Sequence, residues 1–300
     1  MESIYLAPSL KMSRLALGFW RLKEWGMTTG QLLRFIENLL DEGITTFDHA
    51  DIYGDYSCES LFGKALRRKP SCRQKMQIVT KCGIKLVSSK YPERKINYYD
   101  TSYDHIVQSV EQSLKNLHTE YIDLLLIHRP DPLMDPAGTA HAFEDLHRSG
   151  KVLHFGVSNF TSADFAMLQA YLKLPLVTNQ LEISPWQLEH FQNGNLSYCL
   201  EKRIHPMAWS PLAGGKLLNP EDEKSRRIHN KLVQIAKRKE MGNLSPLLIS
   251  WLLKHPSGII PVLGTGKISR IKEAQKAFEV HLSTEEWFEV YVAGQGHRMP

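Results

Sequence analysis

Short apolar runs alternate with amphipathic stretches along most of this chain. The apolar runs are Arg14–Gly18, Thr45–Ala50, Met76–Gly83, Ile122–His128, Val152–Asn159, Val177–Ile183, His205–Leu212 and Gly258–Gly264. Each is apolar on consecutive rather than alternate residues, the pattern of parallel strands covered on both faces. Between them the apolar positions return with helical spacing. Leu32, Phe35, Ile36, Leu39 and Leu40 mark one face of a helix over Thr28–Glu42, which Gly43 closes. Ile106, Val110, Leu114 and Leu117 repeat the design over Tyr103–Leu117, and a third helix over Pro136–Arg148 ends just before Gly150. Eight such alternations in 300 residues predict an α/β fold, a (β/α)8 TIM barrel.

Three segments fall outside the bare barrel. Ile4–Met12 reads as a short N-terminal β-hairpin plugging the bottom, and Lys85–Asp100, long and polar, as a surface loop. The run from Leu212 to Arg226 contains Gly and Pro and follows the seventh strand. A C-terminal helix is expected over Glu285–Ala293. With no repeat, linker or low-complexity tract, residues 1–300 read as a single domain.

Polar residues at the ends of three successive apolar runs change the picture. Asp48 and Tyr53 lie five residues apart where the second run gives way to a loop. The third run reaches Lys81, and the fourth stops at His128. In a barrel of this kind the C-terminal strand ends form one mouth, so these four would be neighbours. Singly each has an ordinary reading: a loop cap, a rim aromatic, a surface charge, a core histidine. Together they make a proton-donor site. A phenol is a poor acid at neutral pH. A nearby ammonium is expected to lower its pKa. A carboxylate keeps that ammonium charged, and a histidine orients a carbonyl oxygen.

Those residues carry a family resemblance. Phe47-Asp48-His49-Ala50-Asp51-Ile52-Tyr53-Gly54, Lys81, His128, Gly156-Val157-Ser158-Asn159-Phe160 and Trp209-Ser210-Pro211-Leu212 resemble the aldo-keto reductase superfamily. Asn179-Gln180-Leu181-Glu182 and Gly264-Thr265-Gly266-Lys267 look most like bacterial oxidoreductases within it. The resemblance implies a monomeric barrel that reduces aldehydes or ketones with NADPH. It makes Tyr53 the proton donor, Lys81 and Asp48 its tuning pair, and His128 the group that orients the carbonyl. It assigns Ser158, Asn159 and Gln180 to the nicotinamide carboxamide, and Trp209 to stacking on the nicotinamide ring. Ser210, Leu212, Gly214 and Lys216 would wrap the pyrophosphate, with Thr265, Gly266 and Lys267 opening a helix whose N-terminus favours an anion. Arg270, beside Lys267, would face the 2′-phosphate, and Glu273 the adenine; Ala274 stands where many members have Asn. Neither loop is a G-x-G-x-x-G or a P-loop, which excludes a Rossmann dinucleotide fold.

Candidate substrate walls are Trp20, Trp25 and Tyr56, with Phe19 and Arg129 nearby; His49, on the opposite side from Asp48, is expected to be structural. Two other readings share the barrel. Lys81 could form a Schiff base as an aldolase or lyase would, or the chain could be a cofactor-sensing subunit with little turnover.

Composition narrows the classes further. A net charge of +5 is mild for 300 residues and gives no reason to expect nucleic acid. The four cysteines Cys58, Cys72, Cys82 and Cys199 form no C-x-x-C pair, so free thiols in a reducing cytoplasm are expected and a metal site is not. No secretory signal or membrane span is apparent, and the partner expected is a small-molecule carbonyl substrate.

Overall fold

The computed structural model describes residues 2–300. Eight parallel strands close into a barrel: Ala16–Gly18, Thr46–Asp48, Gln77–Cys82, Ile122–Ile127, Val152–Ser158, Leu176–Glu182, Met207–Trp209 and Ile260–Leu263. They are taken below as barrel strands one to eight. They follow one another around the ring in chain order, with the eighth beside the first. Seven of the eight apolar runs contain one of them whole, and the sixth strand begins one residue before its run, at Leu176. The fourth strand is buried at all six positions, and the third at five of six, as both-face coverage requires.

By the density of its contacts the chain divides into two compact units. The first runs to Asn179 and includes Gly264–Gly266. Its helix Cys58–Arg68 approaches Tyr103–Leu117 so closely that a Cβ on Gly63 would lie 1.9 Å from the Asn116 carbonyl oxygen. Helix starts here are capped: Thr28 and Gln31 form a capping box, as do Thr161 and Asp164. The second unit, Gln180–Leu263 with Lys267–Pro300, has its own aromatic core. Trp251 and Trp287 stack at 4.9 Å, and each indole N–H donates to the other's carbonyl, at 3.0 and 2.9 Å.

The N-terminal hairpin pairs Ser3–Ala7 with Leu10–Ser13 and buries Leu10 and Met12. The Ser13 hydroxyl accepts from the Thr45 and Thr46 amides, both at 3.1 Å, which seats the hairpin where the second strand begins. The segment expected as a plain loop over 85–100 is more ordered. Ile84–Lys85 and Tyr98–Tyr99 form an antiparallel ladder that closes it into a compact excursion. Its polar composition hid two β-prone pairs at the base. The last helix, Thr284–Gln295, extends past both expected ends: Ser283 and Glu286 form a capping box at its start, and it runs on to Gly296, which takes a left-handed φ of 90°. Among the described residues, no helix is long and apolar enough to cross a membrane.

Candidate active site

Asp48 is the last residue of the second strand and Lys81 the next-to-last of the third, and Asp48 pairs in register with Val79. Two residues of strand therefore separate them along the barrel, and the long lysine stem spans that offset. The Lys81 Nζ donates to both Asp48 carboxylate oxygens at 2.7 and 2.8 Å, to the His49 carbonyl at 2.8 Å and to the Tyr53 hydroxyl at 3.1 Å. Lys81 is 1% exposed and Asp48 3%, so this is a buried ion pair with every donor engaged. Burial, the largest single influence, lowers the lysine's pKa; the charge and hydrogen bonds of Asp48 together with the Tyr53 contact outweigh it, and the net shift is upward.

The fourth strand ends at Ile127, and His128 follows it, with its amide on the Cys82 carbonyl at 2.9 Å. Its ring meets the Tyr53 ring edge-on at 5.8 Å. Burial, reinforced by the charges of Lys81 and Arg129, pushes the His128 pKa well below its ordinary value, so the imidazole is neutral. Its Nδ1 is buried with no hydrogen-bond partner among the described residues. Lys81 thus joins Asp48 to Tyr53, and Tyr53 in turn meets His128.

One expectation about them is corrected. The ammonium was expected to lower the pKa of Tyr53, yet the net shift is upward: burial raises it more than Lys81 lowers it, and Asp48 opposes the lysine. An ammonium already paired with a carboxylate stabilises a phenolate far less than a free one. Tyr53 is therefore a protonated phenol whose oxygen accepts from Lys81.

His49 sits apart as expected, stacked on Phe19 at 4.7 Å and edge-on to Phe62 at 4.5 Å; burial holds its pKa down at about 3. The aromatic residues expected as substrate walls divide. Trp20 is 60% exposed, with the Arg21 guanidinium 5.3 Å from its ring. Trp25 packs on Phe19 and Phe35, and a Cβ on Gly266 would come within 2.7 Å of its indole. The Tyr56 hydroxyl is occupied, accepting from the Leu86 amide at 2.9 Å and from Arg94 at 2.8 Å.

The remaining candidates lie at later strand ends. Ser158 closes the fifth strand, and the Asn159 amide donates to its hydroxyl at 2.8 Å and to the His128 carbonyl at 3.4 Å. In the second unit, Gln180 is buried with its amide 3.8 Å from the Met207 sulfur, and Trp209 ends the seventh strand. Ser210 takes a left-handed φ, as do Gly214 and Gly215 in the turn after Leu212. No atom lies within 4 Å of where a Cβ on either glycine would stand. Lys216 and Lys224 flank the Trp186 ring at 5.1 and 5.0 Å. Thr265 and Gly266 lead to Lys267, the N-cap of Ile268–Gln275, whose side chain makes no cap bond. Lys267 and Arg270 are exposed there, and Glu273 pairs with Lys276 at 2.8 Å. Open glycine backbone, an uncapped helix start and two exposed cations are the donor chemistry that phosphates require.

A pair of buried carboxylates close to the site escaped the sequence reading. Glu59 accepts from Thr80 at 2.7 Å and from Asn116 at 3.3 Å. Asp51 accepts from Ser109 at 2.8 Å, while its other oxygen is buried without a partner. The Asp51 amide donates to the Lys81 carbonyl at 3.0 Å. Burial, then the neighbouring Glu59 charge, raises the Asp51 pKa from 3.8 to about 7. Glu59 occupies the buried face of its helix with Phe62, Gly63 and Leu66, and that spacing was the available signal.

The linkage has a definite sign. Folded Asp51 keeps its proton to about pH 7, whereas the unfolded chain loses it near 4, so stability falls as pH rises between these values. Asp51→Asn is expected to melt higher than the parent at pH 8, by about 2 kcal/mol, with most of the gain gone at pH 4.5. Thermal melts at the two pH values check this; an equal difference at both would remove the buried-acid account.

A family model described as the aldo/keto reductase family matches residues 14–291. The chain is 50% identical, over the full length of both, to an uncharacterized oxidoreductase, YcsN, of Bacillus subtilis strain 168. It is 42% identical to a 6-dehydroglucose reductase of Agrobacterium fabrum, over 99% of each chain. Among solved structures, the glycerol dehydrogenase AKR11B4 of Gluconobacter oxydans superposes with a TM-score of 0.84 at 26% identity, over 98% of this chain and 95% of that one. With a closed eight-stranded barrel, these strand-end residues and matches of that extent, the chain belongs to the aldo/keto reductase family.

Proposed function

We propose that this enzyme reduces an aldehyde or ketone to an alcohol with NADPH, and that Tyr53 delivers the proton. The observation that carries this reading is the Lys81 ammonium, which donates at once to the Asp48 carboxylate and the Tyr53 phenol. That arrangement fixes the phenol oxygen, burial keeps the phenol protonated, and the neutral His128 imidazole lies edge-on to its ring. NADPH, when bound, supplies the hydride for the carbonyl carbon. The protein's own tasks are then to hold the cofactor, orient the carbonyl oxygen and protonate it. His128, neutral, can donate a hydrogen bond to that oxygen without surrendering a charge. Ser158, Asn159 and Gln180 have the hydroxyl and amide groups that a carboxamide needs, and Trp209 offers a ring face. Ser210, Leu212, Gly214, Lys216, Thr265, Gly266 and Lys267 are assigned to the pyrophosphate. Arg270 is assigned to the 2′-phosphate, and Glu273 to the adenine.

For the substrate we infer a small polyhydroxy aldehyde or ketone. The named relatives act, by their names, on 6-dehydroglucose and on glycerol, and this chain shares the barrel with both. A Schiff-base role for Lys81 is disfavoured by its chemistry. A nucleophilic lysine must lose its proton, and Asp48 holds this one charged.

Titration with NADPH and NADH, followed by tryptophan fluorescence, tests the cofactor assignment. Quenching with clearly tighter NADPH binding is expected. Arg270→Ala should weaken NADPH about tenfold or more while leaving NADH unchanged. Equal affinity for both nucleotides in the parent, or an equal loss for both in the variant, would sink the 2′-phosphate role.

A further inference from the structure

Tyr53 stands at the head of a turn that its own sequence does not favour. Gly54, Asp55 and Tyr56 take left-handed φ values of 59°, 56° and 61° in succession. Glycine adopts that conformation freely, but each of the other two costs about 1 kcal/mol or more, and such residues persist only where their surroundings hold them. Local bonds supply part of the hold: the Tyr56 amide donates to the Ile52 carbonyl at 3.2 Å and the Ser57 amide to the Tyr53 carbonyl at 3.0 Å.

The rest comes from the excursion after the third strand. Leu86 and Arg94 both donate to the Tyr56 hydroxyl, at 2.9 and 2.8 Å, and the Lys90 ammonium donates to the Tyr56 carbonyl at 2.9 Å. The Arg94 guanidinium lies 3.7 Å from the Tyr91 ring, and Tyr91 meets the Tyr56 ring edge-on at 5.0 Å. The excursion is itself braced, by the ladder at its base and by the Val87 amide on Asn97 at 2.7 Å. It starts two residues beyond Lys81, at Gly83, and reaches over to the turn that carries Tyr53. One end of the Lys81–Tyr53 contact is thus set by the third strand and the other by this strap.

We propose that the strap, through Arg94 and Lys90 acting on Tyr56, positions the Tyr53 phenol for proton transfer. Arg94, Lys90 and Tyr56 are positioning residues: they act through the turn and do not touch the reacting atoms. The proposal rests on Tyr53 being the proton donor. Proton transfer demands heavy-atom separations of about 2.6–3.2 Å, and a displacement near 1 Å can cost about a hundredfold. Relaxation of a strained turn by part of that distance should appear in kcat and not in cofactor affinity.

The test combines kinetics with amide hydrogen exchange on the full-length enzyme. Arg94→Met keeps the side chain's length and removes its donors. Tyr56→Phe removes the acceptor that Leu86 and Arg94 share. Each is expected to lower kcat about tenfold, with KM for the carbonyl and NADPH affinity within about twofold of the parent. The solvent isotope effect on kcat should rise, and exchange in a peptide spanning 52–57 should accelerate while that of 152–158 stays unchanged. Arg94→Lys should recover part of both signals, and the double variant should lose little more than either single one. Should Arg94→Met fold poorly, Lys90→Met, which alters an exposed donor, should show the same pattern at smaller amplitude. Unchanged exchange over 52–57 in these variants overturns the proposal, as does faster exchange with kcat intact. Tyr53→Phe separates the two readings. If it retains full turnover, the donor role of Tyr53 fails, while the exchange measurement still reports whether the strap holds the turn.

Discussion

Replacing Tyr53 by Phe is expected to reduce kcat about 10²–10⁴-fold, the usual weight of a positioned general acid, with NADPH affinity nearly unchanged. Only the hydroxyl is deleted, and Phe preserves the ring contact with His128 at 5.8 Å. The Lys81 ammonium loses one of four acceptors and keeps both Asp48 oxygens and the His49 carbonyl, so the ion pair stays satisfied. Stability should therefore change little. That separation makes the experiment decisive: a melting temperature near the parent's with turnover lost identifies a chemical role. Single-turnover rates in preloaded enzyme should show the same loss as steady-state kcat. Retention of parental turnover by Tyr53→Phe would remove the proton-donor assignment altogether.

The barrel was legible in the sequence because parallel strands covered on both faces need apolar residues at consecutive positions. Each of the eight runs shows that pattern and overlaps an observed strand, seven of them containing it whole. Asp48, Lys81 and His128 stood out by the same logic. A charged or polar residue ending an apolar run needs a partner, and barrel topology brings such ends together. What could not be read was the balance at Tyr53. Its pKa direction depends on how deeply the phenol is buried and on how completely Asp48 occupies Lys81. Neither quantity has a signature along the chain. Tyr56 posed a similar difficulty. It stood among the candidate substrate walls, and its hydroxyl accepts from Arg94, 38 residues away in an aperiodic segment. Trp25 likewise meets Gly266 from the far end of the sequence, a contact no local spacing could announce. Glu59 is the contrary case: its place on the apolar face of Cys58–Arg68 was visible at helical spacing.

Replacing Lys81 by Met should produce the largest loss of stability available at this site, about 3–5 kcal/mol. The reason is the carboxylate left behind. Asp48 is 3% exposed, and Lys81 is the cation that meets both its oxygens. Removal of the ammonium leaves the buried Asp48 carboxylate without the cation that met both its oxygens, which costs far more than the pair contributed. Adding Asp48→Asn to Lys81→Met removes the charge and should recover most of the lost stability, yet turnover should stay low, since Tyr53 no longer has the ammonium that fixes its oxygen. Chemical denaturation of the two variants distinguishes the cases. A double variant no more stable than the single one would mean that Lys81 contributes through the packing of its stem and not through its charge on Asp48.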